Sequence, residues 1–67
     1  MNQTTAFMNF SLIFTDNGEF VHEEQDFNSS LDGTRDEAYE WALETQREIG
    51  IIQNFGAASH IIETVSL

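Results

Sequence analysis

From Phe7 to Phe14 apolar and polar positions alternate. Met8, Phe10, Leu12 and Phe14 fall on one side, with Asn9 and Ser11 on the other. A period of two marks a half-buried strand, because successive side chains point to opposite faces of a sheet. Asp16-Asn17-Gly18 follows, and Asn-Gly favours a tight hairpin because both residues tolerate positive φ. A second strand is expected from Glu19 to Phe27. Two registers fit it: a two-residue loop sets Val21 opposite Phe14, and a three-residue loop with a bulge sets Phe20 there.

Asn28 to Gly33 reads as a loop. Thr34 and Glu37 have the spacing of a capping box, in which each side chain satisfies an unpaired backbone donor at a helix start. The helix is expected to run to about Ile49, with Gly50 as its left-handed C-terminal cap. Ala38, Ala42, Thr45 and Ile49 recur at helical spacing and define the buried stripe, flanked by Tyr39 and Trp41. Beyond Gly50 the pattern weakens. Ile51 to Phe55 fits a short strand or an apolar loop, and Gly56-Ala57-Ala58 a turn. The β-branched run from His60 to Val65 predicts a strand beside the first. The expected fold is α+β: a small antiparallel sheet, ββαβ or ββαββ, with one amphipathic helix packed on one face. Residues 1–67 form a single domain, with 1–6 expected as a flexible lead-in.

Length sharpens this picture. A 67-residue chain buries only about 60% of the surface its unfolded form exposes, so its stability margin is thin. It has no cysteine, which excludes disulfides and thiolate-zinc sites. A hydrophobic content of 40% with six phenylalanines supports one compact cluster and argues against disorder. The longest apolar-rich stretch, Ala6 to Phe14, is interrupted by Asn9 and Ser11. It falls far short of the ~20 residues that span a bilayer, and no leader pattern precedes it. A cytoplasmic location is expected, the host cytoplasm if the chain is phage-encoded.

Charge changes the picture most. Twelve carboxylates face two arginines and no lysine, for a formal net charge of −10. Nucleic acid and anionic membranes would repel such a chain, whereas a basic protein surface would attract it over long range. On the expected helix, Glu37, Glu40, Glu44 and Glu48 form a row facing away from Ala38, Ala42 and Ile49, with Asp36 at its edge. Like charges at i,i+4 each cost a few tenths of a kcal/mol, and a merely solvated helix usually interleaves basic residues. The second strand adds Glu19, Glu23, Glu24 and Asp26, with Asp16 in the turn. Together the two elements offer about eight carboxylates over roughly 16–23 Å. Duplex DNA carries about twelve charges in 20 Å, so the densities agree within a factor of two. Acid on an edge strand also has a structural use, blocking unwanted pairing.

Candidate chemistry is sparse. His22 with Glu24, and His60 with Glu63, lack a third metal ligand at a fixed spacing. The Asp32-Gly33-Thr34-Arg35-Asp36 stretch misplaces the glycine of a calcium loop. There is no cysteine nucleophile, lysine, phosphate-cradling glycine loop or serine elbow. Neither a cofactor nor an enzymatic activity is expected. Trp41 flanks the buried stripe, where simple core packing is the plainer reading and an aromatic anchor for a partner inside an acidic rim is the functional alternative. Phe7 and Ile13 lie on the strand face a single helix cannot cover, which suggests a homodimer or a partner bound on the open face of the sheet.

The function expected from these features is that of a small inhibitory binding protein. It would occupy a basic nucleic-acid-binding surface of a partner as a nucleic-acid mimic, in the manner of phage anti-CRISPR or anti-restriction proteins. Glu37, Glu40, Glu44 and Glu48 would be its main contacts, with Glu23, Glu24, Asp26 and Trp41 secondary. The alternative is a structural or regulatory module that homodimerises through its apolar sheet face, its charge serving only solubility.

Overall fold

A computed structural model describes the backbone of residues 8–28 and 30–67 and the side chains of 9–22 and 30–67. The order of elements is ββαββ: β1 Met8–Asp16, β2 Glu19–Asn28, α1 Leu31–Thr45, β3 Ile49–Phe55 and β4 Ala58–Val65. One antiparallel sheet has the strand order β2-β1-β3-β4. The last strand therefore lies beside β3 and not beside β1, because the Ile51–Phe55 run is itself a strand that takes the place next to β1. The expectation for residues 1–6, and that for Phe7, lie outside the described residues.

The β1–β2 turn forms as its Asn-Gly pair requires. Asn17 and Gly18 both take positive φ, at 54° and 84°, so that Asp16 pairs with Glu19 and Thr15 with Phe20. A register shift then follows at once, and His22 stands opposite Phe14. Neither expected register survives past Phe20, because an extra residue, Val21, enters β2 there. Such bulges increase local twist.

The helix begins and ends earlier than its sequence suggests. Ser30, not Thr34, is the N-cap: its hydroxyl accepts from the Gly33 N–H at 3.2 Å. Thr34 lies one turn inside, fully buried, and its hydroxyl donates to the Ser30 carbonyl at 2.7 Å. Starting four residues sooner brings both Leu31 and Thr34 onto the sheet. At the other end Gln46 adopts the left-handed conformation, and its N–H donates to the Ala42 carbonyl at 2.9 Å. Thr45 is exposed rather than buried, its hydroxyl turned back to the Trp41 carbonyl.

Ile49 is buried, as its spacing suggested, but as the first residue of β3 opposite Phe14. The strand setting wins because it lines up Ile49 and Ile51 on one face with Phe10, Leu12, Ala38 and Ala42, a single core cluster. Phe14, Leu31, Trp41 and Val65 pack around it. Each large side chain so enclosed contributes about 1.5–3 kcal/mol. Gly50 then caps no helix. A Cβ there would sit 2.6 Å from the Thr15 methyl and 3.1 Å from Ile13 Cγ1, so the two β1 side chains lie directly on bare β3 backbone.

That close approach explains part of a second departure. Ile13 points to the face opposite the helix yet is fully buried, and Ser11 and Thr15 beside it are nearly so. Farther along, the Asn54 amide donates to Asn9 Oδ1 and Ser11 Oγ, while Ser59 donates to Asn54 Oδ1. Ile13 is thus no surplus apolar group waiting for a second copy.

Candidate functional site

Most of the acid selected from sequence belongs to α1, and the altered helix ends redistribute it. Glu48 is the main correction. It lies beyond the helix in the link to β3, where its Oε2 accepts from the Thr15 hydroxyl at 2.6 Å and from the Gly18 N–H at 2.7 Å. The Thr15 hydroxyl first, then the turn's backbone N–H groups, hold its carboxyl below the usual glutamate range. Glu48 ties the helix exit to the β1–β2 turn and is not a contact on the outer face. Thr15 is 33 residues away in the chain, so no local spacing signals the bond.

Glu37 is half-buried on the flank of α1 and already engaged in an interaction of its own. Glu40 and Glu44 are exposed, as expected. The row they belong to is different from the expected one. Asp32, Asp36, Glu40 and Glu44 recur at every fourth residue, and all are exposed. A spacing of four keeps neighbours about 6 Å apart, so the row covers about 18 Å of helix. Asp32 meets Arg35 at 3.4 Å, and Arg35 Nε reaches both Glu63 oxygens at 3.0 and 3.1 Å. Through that pairing the Arg35 guanidinium lowers the Glu63 pKa, while Glu63 foremost raises that of Arg35. Among the described residues, Asp36, Glu40 and Glu44 enter no ion pair.

Arg47, the other cation of the chain, does not neutralise the row by a described contact. Its guanidinium carbon sits 4.4 Å over the Phe14 ring centre. Phe14 also stacks with Trp41 at 5.9 Å and with His22 at 6.1 Å between ring centres. Trp41 is accordingly half-buried and packs at the core margin. The apolar groups offered beside the acidic row are instead Tyr39, 54% exposed, and Leu43, 46% exposed, one turn apart. Sequence periodicity placed Tyr39 on the border of the buried stripe; the exposed face claims it because Thr34, Ala38 and Ala42, flanked by Leu31 and Trp41, line the contact with the sheet.

Glu23 and Glu24 pair through their backbones with Ile13 and Leu12 in β2, which also contains Asp26. Their side chains lie outside the described residues. Among the described residues there is no pocket and no group of three or more His, Cys, Asp or Glu positioned around a metal. No helix among them is long and apolar enough to cross a membrane. Compared with protein-family models, curated proteins and solved structures, the chain matches none.

Proposed function

We propose that the outer face of α1 is a recognition surface for a basic, nucleic-acid-binding site on another protein, and that the chain inhibits that protein by occupying it. The observation that carries this reading is where the acid lies. Glu44 sits in the last turn of α1, where unpaired carbonyls concentrate negative potential, and that turn holds no basic residue. The Asp36–Glu40 and Glu40–Glu44 spacings add like-charge repulsion. A helix arranged for stability would place Lys or Arg there. Carrying acid instead costs a thin-margined domain about 1 kcal/mol, on these two effects together.

The charge spacing suits a mimic. One DNA strand advances about 3.4 Å per phosphate, so about five phosphates occupy the 18 Å over which this helix sets four carboxylates. Tyr39 and Leu43 border the row and supply what phosphate alone lacks, an aromatic and an aliphatic contact of the kind that concentrates binding energy at interfaces. A mechanism by occlusion needs no chemical step from the chain itself, and we read it as a binding protein rather than an enzyme. Small acidic blockers of restriction or CRISPR complexes are the functional class this reading fits.

The test is capture from a bacterial lysate with immobilised chain, in parallel with the Asp36→Asn/Glu40→Gln/Glu44→Gln variant. The wild type should retain a nucleic-acid-binding protein at low salt, release it as salt rises, and be displaced by added DNA or RNA. Equal retention by the neutralised variant, or indifference to added nucleic acid, would overturn the reading.

A further inference from the structure

Among the described residues the sheet has two edges, β2 and β4. On β4 every residue from Ala58 to Ile62 is exposed, including Ile61 and Ile62 side by side at mid-strand, each at 38%. Its one carboxylate, Glu63, is held by Arg35 of the same molecule. The outward N–H and C=O groups of an edge strand form a template for another strand, and proteins usually guard them with Lys, Pro, inward charge or a bulge. The chain has no lysine and no proline. Among the described residues a bulge at Ile62 is the only such guard on β4, and it leaves both isoleucines exposed.

We propose that β4 is a self-association edge: two copies pair β4 against β4 in antiparallel fashion about a two-fold axis, joining two four-stranded sheets into one of eight strands. Three features of the molecule select a second copy as the occupant. First, the pairing is isologous, so each copy supplies the one thing an open edge needs, another open edge, at the chain's own concentration. Second, charge permits it here and opposes it elsewhere. β4 is separated from β2 by three inter-strand spacings, about 14 Å in all. That exceeds the Debye length of about 8 Å at physiological salt, so the carboxylates of β2 are screened from the junction. Pairing β2 with its own copy would set side by side two strands that each carry Glu19, Glu23, Glu24 and Asp26. Third, the pairing is self-limiting. Both β4 edges are consumed, and the edges left outside are the acidic ones.

The axis runs normal to the sheet, so both helices stay on one side with their acidic rows outward. Self-association is therefore independent of the recognition surface on α1. It also differs in its response to salt. Raising salt from about 50 to 500 mM leaves the dimer as tight or tighter, because only screened repulsion opposes it, whereas binding through the acidic row weakens.

Sedimentation velocity over a concentration series, with backbone amide exchange at both extremes, tests the pairing on the full chain. The expected result is a mass rising from 7.6 kDa to a plateau at twice that value, with β4 amides slowing at high concentration and β2 amides unchanged. Ile61→Lys and Ile62→Lys, both at exposed sites, should each shift dimerisation at least tenfold toward monomer while circular dichroism stays native. Phe20→Lys on the other edge should not. A monomer at millimolar concentration, a dimer whose β4 amides exchange as fast as the monomer's, or growth beyond two copies would overturn the proposal. The exchange comparison uses wild-type chain alone, so a variant that fails to fold leaves the test intact.

Discussion

The two edge strands belong to one sheet yet carry opposite chemistry. β2 sets Glu19, Glu23, Glu24 and Asp26 along ten residues, with Asp16 at the turn before it. β4 sets one carboxylate in eight residues and neutralises it with Arg35. If the charge of −10 served only solubility, nothing would favour one edge over the other. Acid is concentrated on β2 and on the outer face of α1, whereas β4 itself carries a single, paired carboxylate. Surface charge in this chain is patterned, and on the reading proposed above that pattern selects which contacts form.

The change expected to break this arrangement most severely is Gly50→Ala, at the seam between β1 and β3 that holds the two halves together. The new methyl would meet the Thr15 methyl and Ile13 well inside contact distance. Overpacking of this kind costs about 1–3 kcal/mol, a large share of what a domain this small can muster. Urea unfolding should show a clearly lower midpoint. An unchanged midpoint would mean that β1 does not lie on β3 as described.

A smaller effect, confined to the acidic side, is expected from Glu48→Gln. The folded-state pKa of Glu48 is lowered by the Thr15 hydroxyl and the turn N–H groups, so its charged form stabilises the fold. That contribution is complete above the unfolded value near 4.5 and is lost as pH falls through the lower folded value. Wild type should therefore lose its stability advantage over Glu48→Gln as pH drops below about 4.5. At neutral pH the variant should speed amide exchange at the β1–β2 turn and spare the β3–β4 hairpin. A pH-independent difference would detach Glu48 from the turn.

Smallest of the three is Arg35→Gln, which removes the partner of Glu63. An exposed ion pair contributes little to stability, so thermal unfolding should barely move. Its value lies in sharpening the contrast between edges: with Glu63 uncompensated, β4 acquires the character of β2, and dimerisation should weaken in a manner that added salt restores.

Much of the fold was legible because it is written in short-range patterns. The alternation around Leu12 and the Asn17-Gly18 turn place β1 and the first hairpin, and Ala38 and Ala42 place the face of α1. The helix ends were not legible, since competing readings shared the same residues. Ile49 satisfies both a helical period and a strand's first inward position. Gly50 suits both a left-handed cap and a close backbone approach, and only the packing of Thr15 and Ile13 chooses. Ser30 and Thr34 are equally good caps four residues apart. The candidate site changed with the helix ends. Glu48 left the row with the helix end, and Asp32 joined it with the helix start, completing a spacing of four that no residue type announces.

The central claim is that acid on α1 is kept for recognition at a cost to the helix that bears it. The most direct test is the affinity of wild type and of the Asp36→Asn/Glu40→Gln/Glu44→Gln variant for the captured partner, measured across a salt series. The account predicts that wild-type affinity falls steeply with salt, and that the variant binds at least tenfold more weakly at low salt with most of that dependence gone. Two parallel curves of equal affinity would contradict it.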